Sequence, residues 1–444
     1  MKRKKVRVVG AGLAGCEAAW ALAQRGISVQ LIEMKPVKRS PAHHSDLFCE
    51  LVCSNSLKAA RLASAAGLLK EEMRRLGSIT MRAAAETAVS AGGALAVDRE
   101  AFSQYVTQKI RQHPYIEILT EDVKKIPFTD DPVILATGPL TSDDLASDIA
   151  EKFGQSLSFY DAAAPIVTRE SLDFSEIFAA SRYGRGEADY LNCPMNQEQY
   201  ASFYEALISA QSVALKDFEQ DAPAVYEGCM PIEIMARRGE DTIRFGPLKP
   251  VGLRDPKTNK RPWAVVQLRA ENAEGSLYNL VGFQTNLKFP EQKRVFSMIP
   301  GLQNADFVRY GVMHRNTFLD SPRVLTRYLA TKKYPKLLFA GQITGVEGYV
   351  ESAASGILAG INAARIVGGQ ELVCPPRETM LGALLCYISD ETVEHFQPMG
   401  SNMGILPPLD TQIRDKQQRY DALAQRALAA MDRFIQTYLK EDLT

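Results

Sequence analysis

Residues 6–15 read Val-Arg-Val-Val-Gly-Ala-Gly-Leu-Ala-Gly, a short β-branched run that leads directly into glycines spaced as G-x-G-x-x-G. The spacing predicts a helix from Cys16 to Arg25, closed by Gly26, and a second strand from Ile27 to Ile32. A glycine turn of this kind inside a βαβ unit is typical of a dinucleotide-binding site. The stretch therefore predicts an α/β fold that begins with a Rossmann-like domain.

Each glycine of this turn has its own physical role. The first permits a tight turn, the second lets the backbone approach a pyrophosphate, and the third allows the helix to pack closely on the strand. The exposed N–H groups at the start of the helix then face the phosphates. The predicted cofactor-binding residues of the turn are Gly10, Ala11, Gly12, Leu13, Ala14 and Gly15.

Other positions indicate which dinucleotide binds. Glu33 ends the second predicted strand, where a carboxylate can accept a hydrogen bond from a ribose 2′-hydroxyl and disfavours a 2′-phosphate. Both FAD and NAD satisfy that condition. Thr137 and Gly138 follow a buried strand, and Gly341 and Gln342 precede an Ala/Gly-rich helix, an arrangement that suits a two-part FAD site. We therefore predict FAD as the cofactor.

The character of the sequence changes along the chain. From about residue 165 to 305, aromatic residues, prolines and strand-like runs become frequent, and the glycine- and alanine-rich style of the opening then returns. This pattern predicts a glutathione-reductase-type FAD-binding domain, in two parts at residues 1–165 and 306–444, with an inserted α+β domain at residues 166–305. A charged amphipathic helix is expected near the end of the second part.

The overall composition is that of an ordinary globular enzyme. The 444 residues include 52 Lys plus Arg and 52 Asp plus Glu, which excludes a polybasic binder or an acidic tail. No apolar run is long enough for a transmembrane helix, and no apolar segment of a secretory signal follows the basic N-terminus. Seven scattered cysteines and five histidines favour a reducing cytoplasm and no metal centre. We thus expect no membrane partner and no metal.

Several longer motifs resemble one family, the folate- and FAD-dependent tRNA uracil-5-methyltransferases (TrmFO). The resemblance covers nearly the whole chain. Besides the glycine turn, it is carried by Glu50-Leu-Val-Cys-Ser-Asn-Ser-Leu57, Gly92-Gly-Ala-Leu-Ala-Val-Asp-Arg99, Ala136-Thr-Gly-Pro-Leu-Thr-Ser142, Tyr190-Leu-Asn-Cys-Pro-Met195, Phe245-Gly-Pro-Leu-Lys-Pro-Val-Gly252, Val281-Gly-Phe-Gln-Thr285, Arg309-Tyr-Gly-Val-Met-His-Arg-Asn-Thr317 and Ala340-Gly-Gln-Ile-Thr-Gly-Val-Glu-Gly348. The larger GidA-type enzymes share the FAD motifs, but they carry an additional C-terminal helical domain.

The resemblance implies a reductive methylation. In this family 5,10-methylenetetrahydrofolate donates a one-carbon unit, NADPH or NADH supplies electrons through FAD, and the acceptor is carbon 5 of a uridine. That uridine lies in the tRNA T-loop, at nucleotide position 54, while some branches modify ribosomal RNA instead. The implied partners are therefore tRNA and folate, with ribosomal RNA as the alternative to tRNA.

Uracil carbon 5 is a poor nucleophile until a thiolate adds to carbon 6 and converts the ring to an enolate. The reaction thus requires an activated cysteine and a base that later removes the carbon 5 proton. Cys229 lies in a Gly/Pro-bounded turn and Cys53 is followed by polar residues, and both match the family's functional cysteines. We assign Cys229 as the nucleophile and Cys53 as its partner close to the flavin; the reverse assignment is chemically reasonable.

Contacts with RNA and folate are predicted from local charge. Residues 237–261 hold eight Lys and Arg against three Asp and Glu, a local net charge of +5, and include Arg237, Arg238 and Lys249. Such a segment can follow phosphates, although an ordinary solvated surface has the same composition. His314 and Arg315 suit the folate or flavin pocket, and a structural role for the histidine is the alternative.

Two other functions remain open from the residues alone. A flavoprotein oxidoreductase acting on a small metabolite has no need for paired cysteines or a basic surface. A non-catalytic RNA-binding factor stabilised by FAD leaves both cysteines without a chemical role. Replacement of Cys229 by Ala distinguishes these alternatives, because only the methyltransferase loses methyl transfer while retaining its flavin.

Overall fold

The computed structural model describes residues 5–40, 42–154, 157–162, 164–184, 187–213, 230–311, 313–394 and 396–440, without the side chains of residues 157–162, 314 and 315. The strands, in chain order, are β1 Lys5–Val9, β2 Ser28–Glu33, β3 Ser56–Ala59, β4 Ala88–Val89, β5 Ala94–Val97, β6 Ile116–Thr120, β7 Val133–Leu135, β8 Leu157–Ala162, β9 Ile166–Thr168, β10 Phe178–Ala179, β11 Tyr190–Met195, β12 Ala264–Ala270, β13 Leu277–Leu280, β14 Phe307–Arg309, β15 Met313–Phe318 and β16 Leu337–Phe339. The α-helices are α1 Leu13–Ala23, α2 Ala65–Arg75, α3 Ile79–Glu86, α4 Arg99–Gln112, α5 Asp143–Phe153, α6 Gln197–Ser209, α7 Ile232–Ala236, α8 Glu240–Phe245, α9 Phe289–Phe296, α10 Ser321–Val324, α11 Tyr349–Gly368, α12 Met380–Ile388 and α13 Lys416–Tyr438.

A parallel five-stranded sheet forms the first half of the fold, in the order β16-β7-β1-β2-β6. Strands β7 and β16 are entirely apolar and buried, and β1 is buried at Val6, Val8 and Val9, as expected when helices cover both faces. The predicted α/β fold class and the opening βαβ unit are confirmed. The regular part of the first helix runs from Leu13 to Ala23, whereas Cys16 to Arg25 was predicted. Gly26, with φ +69°, caps this helix as predicted: the N–H groups of Gly26 and Ile27 donate back to the carbonyls of Ala23 and Leu22.

Helices α1 and α11 pack against each other over the parallel sheet, and glycines set their separation. A Cβ atom on Gly356 would lie 2.2 Å from the backbone oxygen of Ala14, and one on Gly360 would lie 2.6 Å from that of Ala18. These contacts involve backbone atoms, which cannot move aside as a flexible side chain can. The Ala/Gly composition of α11 therefore places the chain's late segment directly against the glycine turn.

The second large sheet has six strands in the order β10-β11-β12-β13-β9-β14, and all its pairs are antiparallel. One face packs on α6 and α9 around a separate apolar core that contains Leu268, Leu280 and Val167. The other face carries a row of residues in register across three strands, Arg269, Asn279 and Ile166, and Arg309 of β14 pairs with Ile166 next to a β-bulge. Neighbours in such a row project to the same face, so this row is turned away from the apolar core.

The second sheet begins at Ile166, the first residue of the predicted inserted domain, but β14 extends past the predicted boundary at residue 305. Strands β8 and β15 pair with each other beside it. The three-part domain division stays a prediction. Helix α13 packs its apolar side, including Leu423, Met431 and Phe434, into the core of the first half. Within the described ranges, no helix is long and apolar enough to cross a membrane.

Candidate active site

A cavity of about 1120 Å³, partly open to solvent, lies at the carboxyl ends of the parallel strands. This is the edge of an open α/β sheet where nucleotides bind. The structure brings together here ten of the eleven predicted cofactor-binding residues: Gly10, Ala11, Gly12, Leu13, Ala14, Glu33, Thr137, Gly138, Gly341 and Gln342. The eleventh, Gly15, does not line the cavity, because it packs against the turn: a Cβ atom there would lie 1.7 Å from the oxygen of Gly10.

The glycine turn has the geometry that a pyrophosphate requires. Gly10 has φ +97°, and a Cβ atom on it would lie 2.5 Å from the backbone oxygen of Ala136, so a side chain is excluded there. A Cβ atom on Gly12 would meet nothing within 4 Å, so its backbone borders open space. Among the residues that the structure describes, no side chain caps the start of α1, so its first N–H groups are available to an anion.

Glu33 is fixed at the end of β2 by two main-chain hydrogen bonds. One carboxylate oxygen accepts from Ala11 N at 2.7 Å and the other accepts from Lys35 N at 3.0 Å. Each carboxylate oxygen can accept a further bond, so the side chain is held in place and can still receive a ribose hydroxyl.

The opposite wall of the cavity comes from the late part of the chain. Gly341, with φ +84°, donates its N–H to Ser355 Oγ at 2.7 Å, and Gln342 Nε2 donates to Glu347 Oε2 at 2.7 Å. Tyr349, at the start of α11, also lines the cavity. The size of the cavity, the free amides and the fixed carboxylate together fit FAD.

Cys53 lies immediately beside this cavity and is hydrogen-bonded to Tyr349. Its Sγ is 2.9 Å from Tyr349 Oη, and its own N–H donates to the same oxygen at 2.7 Å. The N–H of Ser54 also reaches that oxygen, at 3.4 Å. Because two N–H groups occupy the acceptor positions of the phenol, its O–H is left to donate to the sulfur. Burial raises the pKa of Tyr349 well above its usual value, which keeps this proton in place.

Residues on other elements hold the loop that carries Cys53, and sequence reasoning missed them. Arg99 donates to the carbonyl of Leu51 at 2.7 Å, and Arg309 donates to that of Val52. Both arginines and Tyr349 lie in or next to the quoted motifs. Nothing in the spacing of the motifs indicates that they meet.

Cys229 lies outside the described residues, and helix α7 begins shortly after it, at Ile232. Glu233, in α7, is fully buried; its carboxylate accepts from Thr285 Oγ1 and Asn286 N, both at 2.8 Å. Burial raises the pKa of Glu233. The chain that follows the predicted nucleophile is thereby anchored to the loop after β13.

The remaining predicted contacts are not gathered at the cavity. Arg237, Arg238 and Lys249 are exposed and do not line it. His314 and Arg315 belong to the backbone of β15, and their side chains lie outside the described part of the chain. Among the described residues, no group of three or more His, Cys, Asp or Glu side chains could hold a metal ion.

The parallel sheet, its glycine turn and the two-sided cavity define an FAD-binding flavoprotein of the Rossmann type. A model of the family described as glucose inhibited division protein A matches residues 5–371. The chain belongs to this family, in the group of proteins named TrmFO. A protein of that group from Halalkalibacterium halodurans, methylenetetrahydrofolate--tRNA-(uracil-5-)-methyltransferase TrmFO, is 57% identical over 98% of this chain and 99% of its own length.

A second relative with the same name, from Listeria monocytogenes, is 58% identical over 97% of this chain and 98% of its own length. Among solved structures, GidA from Aquifex aeolicus has a TM-score of 0.70 at 18% identity, covering 99% of this chain and 75% of that protein. This structural likeness confirms the fold alone, whereas the sequence relatives confirm the predicted family.

Proposed function

We propose that this protein methylates carbon 5 of a uridine in tRNA, with 5,10-methylenetetrahydrofolate as carbon donor, FAD as cofactor and NADPH or NADH as reductant. The observation that carries the proposal is the full-length identity of 57% to a protein named for this reaction. The structure supports it with a cavity suited to FAD and a cysteine, Cys53, beside that cavity.

The residues divide the chemical work as follows. Bound FAD supplies the reducing electrons for the one-carbon unit. The thiolate of Cys229 adds to carbon 6 of the uracil, which makes carbon 5 nucleophilic, and the same bond breaks when the product leaves. Cys53, held by Tyr349, serves as the partner that takes the carbon 5 proton or protects the flavin. The fixed carboxylate of Glu33 would hold the adenosine ribose of the cofactor by accepting a hydrogen bond from its hydroxyl.

The substrate RNA is expected to meet the exposed basic segment after Cys229. Arg237, Arg238 and Lys249 are exposed there, where Lys and Arg side chains can neutralise phosphates. We place the methylated uridine at position 54 of the tRNA T-loop and the protein in the cytoplasm. The pterin and the nicotinamide are expected to approach the flavin in turn, and His314 and Arg315 are proposed to contact the folate.

The test is nucleoside mass spectrometry after incubation of the FAD-loaded protein with methylenetetrahydrofolate and NADPH or NADH. A tRNA transcript and a ribosomal RNA fragment are compared in parallel, and 5-methyluridine is expected in the tRNA T-loop. Product in the ribosomal fragment alone would mean that the reaction is as proposed but that the substrate is ribosomal RNA. No product in either RNA would favour an oxidoreductase acting on a small metabolite.

Matched cysteine variants test the mechanism in the same assay. Cys229→Ala is expected to abolish 5-methyluridine formation with normal FAD content, and Cys53→Ala to reduce it strongly. Cys386→Ala is the control, because Cys386 is partly exposed like Cys53 but lies in α12, outside the residues that line the cavity. Full activity of Cys229→Ala would contradict its role as the nucleophile.

A further inference from the structure

We propose that Arg99 and Arg309 are positioning residues for Cys53: together they fix the loop that carries this cysteine and favour its thiolate form. The inference rests on the proposed function, because it assigns further roles at the same site. The two arginines come from different halves of the fold: Arg99 is the first residue of α4, and Arg309 is the last residue of β14.

The hydrogen bonds place these arginines on the backbone directly before Cys53. Arg99 Nη1 donates to the carbonyl of Leu51 at 2.7 Å, and the Arg309 guanidinium donates to the carbonyl of Val52. Hydrogen bonds from charged donors are stronger than neutral ones. Two consecutive carbonyl groups are therefore held in one orientation, which fixes the direction in which the next residue projects.

The row across the antiparallel sheet extends this support past the cysteine. Arg269, in register with Arg309 across the sheet, donates from Nη2 to Ser54 Oγ at 2.8 Å and from Nε to Asn55 Oδ1 at 3.0 Å. A single face of the second sheet thus contacts the loop both before and after Cys53.

The charges around Cys53 are predominantly positive. Arg99 pairs with Glu271 at 2.8 Å, and Arg309 has no ion pair among the described residues. The pKa of Arg309 is lowered by burial and then by the neighbouring Arg99. A buried group that is repelled by a like charge is stabilised when a negative charge forms between them. Cys53 therefore interacts electrostatically with the guanidiniums of Arg99 and Arg309, which bond the two carbonyls before it, and its sulfur contacts the Tyr349 hydroxyl. Glu271 is the opposing charge on both arginines.

The experiment measures alkylation of Cys53 by iodoacetamide in the FAD-loaded protein as a function of pH, with the modified peptide quantified by mass spectrometry. The thiol first loses its proton to solvent, and the thiolate then forms the C–S bond while iodide leaves. We expect half-maximal reactivity of Cys53 below about pH 8.5, the range of an ordinary thiol. In Arg309→Met the midpoint is expected to rise by about one pH unit, so that alkylation at neutral pH slows about tenfold.

Arg309→Lys keeps the charge and is expected to restore most of the low midpoint, which a purely structural role for Arg309 would not predict. Arg433→Met removes an exposed arginine of α13 and is the control for loss of one positive charge. An unchanged profile in FAD-loaded Arg309→Met would overturn the proposal. Two results for the unmodified protein would also overturn the proposal, whether or not the variants fold. One is an alkylation midpoint of Cys53 at or above that of an ordinary thiol, and the other is no reaction of Cys53 at neutral pH. Methyl transfer is not measured, so these outcomes leave the proposed function to its own test.

Discussion

The two large sheets build their parts of the site in opposite ways. The parallel sheet binds through its main chain: free amides at the start of α1, a turn with φ +97° at Gly10, and a carboxylate held by backbone N–H groups. The antiparallel sheet contributes long charged side chains, of which Arg269 and Arg309 reach the loop around Cys53. The parallel sheet thus contributes a backbone shape, and the antiparallel sheet contributes positively charged side chains.

This difference has consequences for substitution. A site built from the main chain loses its shape when a substitution adds a side-chain atom between two backbone segments in contact, because close-packed backbone cannot move aside. A side-chain site loses one hydrogen bond or one charge at a time, so its losses are graded. The following predictions use this contrast and run from the largest expected effect to the smallest.

Gly356→Ala is expected to have the largest effect. The new methyl group would lie 2.2 Å from the backbone oxygen of Ala14, next to the glycine turn. We expect unfolding to become easier by about 3 kcal/mol and most of the bound FAD to be lost. Flavin absorbance and thermal unfolding measure both quantities. Gly368→Ala, in the same helix but with only ordinary contacts, is the control. Normal FAD content in Gly356→Ala would show that the two helices can separate without harm to the site.

Arg269→Met is expected to affect only the loop that carries Cys53, which the antiparallel sheet supports. It leaves Asn55 Oδ1 buried without its charged donor, which should destabilise the protein by about 2 kcal/mol. FAD content should stay normal while the rate of methyl transfer falls, since Arg269 contacts Ser54 and Asn55, which do not line the cofactor cavity. The rate at saturating tRNA and the flavin content are measured beside the Arg433→Met control. Loss of FAD from Arg269→Met would contradict the division of roles.

Neutralising the exposed basic segment should weaken RNA binding without changing the chemistry. For the triple variant Arg254→Gln, Lys257→Gln and Lys260→Gln we expect the KM for tRNA to rise about tenfold at constant kcat. A plot of log affinity against log salt concentration should become shallower by about one unit of slope for each phosphate that the variant no longer neutralises. The control replaces three exposed cations of α13: Lys416, Arg419 and Arg433. An equal effect in both triple variants would mean that only net charge matters.

The smallest effect on the cofactor and RNA sites is expected at Glu72, which does not line the cavity; its carboxylate accepts from Met380 N and Leu381 N at the start of α12. Burial raises the pKa of Glu72 to about 8. The folded protein therefore retains a proton that the unfolded chain has lost, and stability should fall as the pH rises from about 5 to 8. Glu72→Gln should flatten this dependence, which amounts to about 1.4 kcal/mol for each pH unit crossed, and the unfolding temperature is measured against pH. The control is Glu86→Gln, an exposed carboxylate; equal slopes for both variants would exclude the effect.

The same contrast explains what the sequence could predict. The turn at Gly10, the carboxylate of Glu33 and the late segment at Gly341 each depend on residues close together in the chain, and spacing alone identified them. The contact of Arg309 with Val52 joins positions 257 residues apart. Only the assembled fold shows which of many arginines reaches a given loop.

Two glycines of the opening unit show the same dependence on local sequence. Gly15 was grouped with the residues around the cofactor because it belongs to the motif, and it has the packing role predicted for the third glycine: a Cβ atom on it would lie 1.7 Å from the oxygen of Gly10. Gly26 was predicted to cap α1, and its N–H and that of Ile27 donate back to the carbonyls of Ala23 and Leu22. Only the bounds of the regular helix, Leu13 to Ala23, differ from the predicted ones.

The close approach of α1 and α11 also sets an order of events during synthesis. The cofactor pocket needs Ala14 against Gly356, so it remains incomplete until more than three-quarters of the chain has left the ribosome. The antiparallel sheet ends at Arg309 and has its own apolar core, so its strands are all available earlier. The nascent chain can therefore acquire its arginine-bearing sheet first, and the FAD cavity is complete only when the late helix α11 packs on α1.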